Sequence, residues 1–354
     1  MKSYMQRSVV IGCYFLAFSM LISCQIIPKK QRTFEEWAES RHPPSDKGPL
    51  PEGCKPVKYS GGFISIKDAF EGPGRHCVVH DFVQRKVRDL IDWSERGSPI
   101  GSGGQGAILS FFLSSNSDLD LRKHLVSGKP FENTRGIGIT TDGEMLDHLR
   151  VHNGRIETPG PLGLGIDMAP YTLARDRIKE LTEDLPITKN NGWNSETKEF
   201  NQIPWDYTPA TFYTAENLQI QSGGRAIVMA GSDNIVRNNT IEVDGRTAVY
   251  MYGPRSLVEG NTFIVHMDPR DKASLPAILK LRDADGSIIR NNRFIVKYRR
   301  GVQKQETEPQ AGINLLESRN VMIEGNVFEL VDLPVRKDEV STTTQRDNTL
   351  AKKE

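Results

Sequence analysis

The sequence predicts an all-β solenoid of stacked parallel strands, and three observations predict it. One ten-residue phrase is written four times, at 234–243, 256–265, 287–296 and 321–330, and the copies align without a gap. In each copy an Asn recurs (Asn239, Asn261, Asn292, Asn326) behind a residue that is only Asn or Gly (Asn238, Gly260, Asn291, Gly325). Apolar residues alternate on both sides of that pair, as in Val236, Ile241 and Val243 or Ile289, Phe294 and Val296. Asn and Gly are the residues that accept a left-handed backbone, so each copy holds one tight bend. A period of two on either side means strands with one buried face.

A second alternating pair precedes each Asn by a fixed count: Ala226/Val228, Ala248/Tyr250, Leu279/Leu281 and Ile313/Leu315. Read at that count, these pairs point inward. Ile227, Met229, Val249, Met251, Lys280, Arg282, Asn314 and Leu316 then point outward. The half-apolar outer face so formed should be covered. The recurring Asn residues are separated by 22, 31 and 34 positions. The added length falls between the last apolar residue of one phrase and the next strand, so insertions are loops at one edge of a constant coil. A unit that cannot bury its apolar face alone must stack on its neighbour.

These repeats resemble the right-handed parallel β-helix proteins of the pectate-lyase-like type. The resemblance implies that Asn239, Asn261, Asn292 and Asn326 form an internal side-chain ladder. It also implies that Phe263, Phe294 and Phe328 form an internal aromatic stack, both being scaffold. It extends over 62–335: residues 63–70 resemble the helical cap with which many such proteins begin, and 72–79, 118–125, 136–139 and 149–156 look like early coils. An insertion at 168–207 carries helical spacing at Tyr171, Ala174, Ile178, Leu181 and Leu185, ended by Pro186. The expected architecture is thus a β-helix with a short N-terminal cap and one helical insertion. Residues 336–354 are polar and charged and read as a disordered tail.

The N-terminus carries Lys2 and Arg7, then an apolar stretch, then Leu21, Ile22, Ser23 and Cys24. That order describes a secretory signal, and its last four residues look like a bacterial lipobox with Cys24 as the lipidated residue. Gln25 resembles the sorting residue of outer-membrane lipoproteins. An uncleaved anchor helix is the alternative, since apolar character continues to Ile27. Residues 24–61 read as a tether. Export leaves Cys54 and Cys77 in the mature chain, where an oxidising compartment lets them pair.

A net charge of +1 with 26% charged residues gives no basic bias, which argues against a nucleic-acid partner. Function in a solenoid belongs to outward positions and edge loops. Arg225, Lys280 and Arg282 are candidates for binding the carboxylates of an acidic polysaccharide, with Trp193 and Trp205 as sugar-stacking aromatics. In the lyases of this fold a cation acts as base and clustered carboxylates hold calcium; here adjacent coils do not repeat Asp, so no metal or cofactor is assigned. Residues 266–271 are similar to the Asp-Pro-His-Asp motif of mannuronan epimerases, but Arg270 stands where their His should be. His266, Asp268 and Arg282 are the catalytic candidates on that resemblance.

Two function classes follow. One is an envelope lipoprotein that binds or processes an acidic polysaccharide, as a lyase or epimerase rather than a hydrolase if an enzyme. The other is a non-catalytic surface or assembly component, with a protein partner at the C-terminal end of the stack. An open cationic groove favours the first, and a closed face favours the second.

Overall fold

The computed structural model describes residues 49–57, 73–83, 111–113, 115–128, 135–139, 146–160, 163–168, 193–194, 199–200, 211–244, 247–267, 277–298 and 310–351. The signal segment with Cys24, the cap at 63–70, the helix at 171–185, Trp205 and Asp268 lie outside them. All described residues belong to one compact unit, His42–Glu354.

Within that unit the chain winds as a parallel β-helix. Each complete coil contributes two strands to one long sheet and a third to a second sheet. The coil that begins at Ile235–Arg237 bends at Asn238 and Asn239, continues as Thr240–Asp244, crosses an edge loop and enters the second sheet as Val249–Tyr252. Its successor repeats the path as Leu257–Glu259, Thr262–Met267 and Ala277–Arg282. Every pairing between coils is parallel and in register, for example Val236 with Val258, Ile241 with Phe263 and Val249 with Leu279. The coils begin earlier than the repeats suggest: Lys55–Val57, inside the segment read as tether, pairs with Gly74–Val78. Cys54 and Cys77 are joined by a disulfide across this first pair of strands.

The left-handed bend is where sequence and backbone meet most directly. Asn238 and Asn291 have φ of 54° and 55°, and Gly260 and Gly325 have φ of 65° and 61°. The next residue turns its amide inward. Asn292 Nδ2 donates to Val258 O (2.9 Å) and to Asn326 Oδ1 (3.0 Å), while its own Oδ1 accepts from the Asn261 backbone N–H and Nδ2, both at 2.9 Å. Asn239, Asn261 and Asn326 repeat the pattern. The ladder thus satisfies the Asn N–H groups that the bend removes from sheet pairing and adds a donor to the strand carbonyl before each bend, inside a core where they meet no water. Beside it Phe263, Phe294 and Phe328 stack with ring centroids 5.0 and 4.9 Å apart.

Two expectations are overturned. Residues 336–354 are not a disordered tail as far as Ala351: Leu333–Lys337, Thr343–Arg346 and Thr349–Ala351 add a further coil on the preceding one. Asn348 extends the ladder, its Oδ1 accepting from Asn326 Nδ2 at 3.0 Å. The apolar pattern had faded because this coil turns Lys337 and Gln345 to rows held by Leu315 and Ile323 in the coil before.

The second overturned expectation concerns the face of the second sheet. Ile227, Met229, Val249 and Met251 are fully buried in the main core, and Val228 and Tyr250 take the outward row that Lys280 continues. The corner after this strand is one residue longer in the later coils, from Leu281 to Ile289 against Met229 to Val236. A fixed count back from the Asn therefore lands on opposite faces of a period-two strand.

Candidate functional site: the outer face of the second sheet

The corrected register assembles one outward row from six successive coils: Asp167, Val228, Tyr250, Lys280, Asn314 and Arg336. Two residues further along each strand runs a second row, Ala230, Tyr252, Arg282 and Leu316. Parallel coils stack at about 4.8 Å, so neighbours in a row can act on one ligand. The Tyr250 and Tyr252 rings lie 4.2 Å apart.

This face carries ammonium, guanidinium, amide and phenol groups on a rigid support. Asn314 is buried, yet among the described residues its Nδ2 has no hydrogen-bond partner. An unmet buried donor costs about 1–3 kcal/mol. Arg282 Nη2 lies 2.6 Å from Glu317 Oε1 and its Nε 3.9 Å from Asp283 Oδ2, so this guanidinium is held by two neighbouring carboxylates. The row is also nearly closed: Asp167, Tyr250, Lys280 and Asn314 are between 1% and 6% exposed, whereas Arg282 is 21% exposed.

The structure brings only part of the predicted site together. Lys280 and Arg282 share this face, two residues apart on one strand. Arg225 opens its own strand, two residues before the Ile227, Val249 and Leu279 row, and does not share the row of Lys280. His266 belongs to the long sheet, where its Nε2 meets the Glu242 carboxylate, so His266 and Arg282 stand on different sheets. Trp193 lies on a two-stranded antiparallel ribbon with Phe200 as its register partner. The sequence places Asn314 on the outer face without giving it a role there, and the fixed count turns Tyr250 inward. Among the described residues no group of three His, Cys, Asp or Glu is placed to hold a metal, and no helix is long and apolar enough to cross a membrane.

The long sheet is organised differently. On its outer surface Glu216, Arg237, Glu259, Arg290, Glu324 and Arg346 stand in register and alternate in sign from coil to coil. Arg237 pairs with Glu216, Arg290 Nε lies 2.7 Å from Glu259 Oε1, and Arg346 pairs with Glu324. Such a row satisfies itself and leaves little for a ligand. Towards the N-terminal coils it meets Asp118, which lies 2.8 Å from His152 Nε2 and 3.7 Å from Arg150 Nη1.

Burial pushes the Glu216 carboxyl up, but hydrogen bonds and charge from Arg237 and Arg150 outweigh it and hold the group below its usual range. A depressed carboxylate contributes stability above the unfolded pKa of about 4.3, and that contribution is lost as pH falls through the folded value. Glu216→Gln is therefore expected to lower stability by about 1–2 kcal/mol at neutral pH, since both arginine partners are partly solvated. It should also flatten the decline below about pH 4. Urea melts at pH 7 and pH 3.5 check this: equal losses at both values would remove the charge argument.

No curated protein and no solved structure matches the chain. Residues 207–350 match the family model described as a right handed beta helix region, and with the parallel coils above they make the fold of this chain a right-handed parallel β-helix.

Proposed function

We propose that this β-helix is an exported lipoprotein that binds an acidic saccharide on the outer face of its second sheet. The observation that carries the binding reading is the row Tyr250, Lys280, Asn314 and Arg336, which aligns a phenol, an ammonium, an unsatisfied amide and a guanidinium across consecutive coils. A uronate offers the complementary groups, a carboxylate for the cations and ring hydroxyls for the amide and phenol. Arg282 and Arg336 form the more open margin of the row, from which a sugar would enter. Export and lipidation at Cys24 rest on the sequence, and the Cys54–Cys77 disulfide fits an oxidising compartment.

A second reading has its own support. The row from Asp167 to Asn314 is the closed face that favours a rigid, non-catalytic scaffold of the envelope, and the self-paired charges of the long sheet fit the same reading. The saccharide reading rests on the more open margin at Arg282 and Arg336.

Titration of the soluble chain from Gln25 with oligogalacturonate and with a neutral maltooligosaccharide separates the two. The saccharide reading expects acidic-selective binding that Lys280→Ala weakens about tenfold, equivalent to 1.4 kcal/mol. Absorbance from an unsaturated product would add lyase activity. Binding that ignores both ligand charge and Lys280 would put the scaffold reading first.

A further inference from the structure

An open depression of about 930 Å³ lies on the long sheet, away from the Lys280 row, and is lined by Asp120, Arg122, Lys123, Asn153, Arg155, Asn217 and Gln219. Its volume is at the upper end of ligand pockets, about 300–1,000 Å³. Three cations face one acid, and that acid is already engaged. Asp120 Oδ2 accepts from Arg75 Nη2 at 3.1 Å, and its Oδ1 accepts from the Arg122 backbone N–H at 2.9 Å.

The way this coil is built singles out the cations. Asp120 pairs with His152 and Leu125 with Arg155, so the bend between Asp120 and Leu125 is two residues longer than the bend it stacks on. Arg122 and Lys123 occupy this longer bend, and both are left-handed, with φ of 48° and 64°. At this corner every later coil places Asn, Gly or Asp in that conformation (Asn153, Asn217, Asn238, Gly260, Asn291, Gly325 and Asp347), whereas left-handed long side chains such as Arg255 and Glu317 stand at other corners. Long side chains in this region cost about 1–2 kcal/mol per residue. Such strain calls for a functional explanation when it coincides with a cavity. The side chains of Lys123, Arg155, Asn217 and Gln219 are exposed at the depression.

We infer that this bend is a second binding site, for an anionic glycan. The cations of Lys123 and Arg155 neutralise carboxylate or sulfate groups, and the amides of Asn153, Asn217 and Gln219 bond ring hydroxyls. The site uses none of the residues assigned on the second sheet.

The test is calorimetric titration of the full soluble chain with oligogalacturonate, with a sulfated heparin oligosaccharide and with a neutral maltooligosaccharide. The two anionic arms separate carboxylate from sulfate recognition. The paired variant Lys123→Asn/Arg155→Gln keeps a left-handed-tolerant residue at 123, so it should fold with an unchanged melting temperature. Expected is a site for at least one anionic arm that this variant weakens tenfold or more, that Lys280→Ala leaves intact and that Lys123→Arg/Arg155→Lys retains. Three results overturn the inference: neither anionic oligosaccharide binds, the neutral one binds equally, or the paired variant binds as wild type does. Binding that Lys280→Ala abolishes and the bend variant spares overturns the bend site alone and sustains the second-sheet face.

Discussion

Asn292→Ala is expected to lower stability by about 3–5 kcal/mol, although it removes no apolar surface and touches no ligand. The amide of Asn292 accepts from the Asn261 backbone N–H and from Asn261 Nδ2, and donates to Val258 O and to Asn326 Oδ1. Alanine leaves the Asn261 backbone N–H and one Asn261 Nδ2 hydrogen without an acceptor in a region closed to water, and takes the side-chain donor from the Val258 carbonyl. Each unmet buried group costs about 1–3 kcal/mol, and the broken chain of amides adds to that. Because each coil leans only on its neighbours, a defect in the middle of the stack should also uncouple the two sides. Urea melts should therefore show a lower midpoint together with a shallower slope. A loss below about 1 kcal/mol would mean that the backbone groups find other partners and that the ladder is not what holds the bends.

How much of this was legible in the sequence depends on what kind of signal each feature leaves. The ladder and the aromatic stack were legible because the bend demands Asn or Gly at one position and an amide at the next, whatever the length of the edge loops. Facing in the second sheet was not legible by counting. One added residue between Leu281 and Ile289 exchanges the two faces, and only stacked register places Ile227 and Met229 in the core and Tyr250 beside Lys280. The last coil was missed for a related reason. Hydrophobic alternation fades where a coil forms an edge, but Asp347 and Asn348 repeat the bend signal at the same 22-residue spacing that separates Asn239 from Asn261. Of the three catalytic candidates, His266 and Arg282 stand on different sheets because the chain passes from one sheet to the other through the charged loop that follows His266, and Asp268 lies outside the described residues. The alternating row from Glu216 to Arg346 was present in the sequence as single charges some twenty to thirty residues apart. It becomes a pattern only once the coils are stacked.

Phe294→Ala should have an effect of similar size by a different route, and its neighbours supply the control. Phe294 is wholly buried between Phe263 and Phe328, with ring planes inclined at 23° and 8° to theirs. Truncating it removes the transfer free energy of a phenyl group and leaves a cavity that two stacked rings and a hydrogen-bonded ladder prevent from collapsing, about 3–5 kcal/mol. The same row ends at Leu350, the register partner of Phe328, which is 48% exposed. Leu350→Ala removes a side chain already half in water and should cost less than about 1 kcal/mol, since only the buried part of its surface counts. Phe294→Leu, which keeps most of the volume and stays apolar, should fall between the two at about 1–2 kcal/mol. The ordering is the test. If Leu350→Ala proves as costly as Phe294→Ala, the final coil is clamped more tightly than its exposure shows, and the core of the solenoid runs on past the ring of Phe328 with undiminished strength.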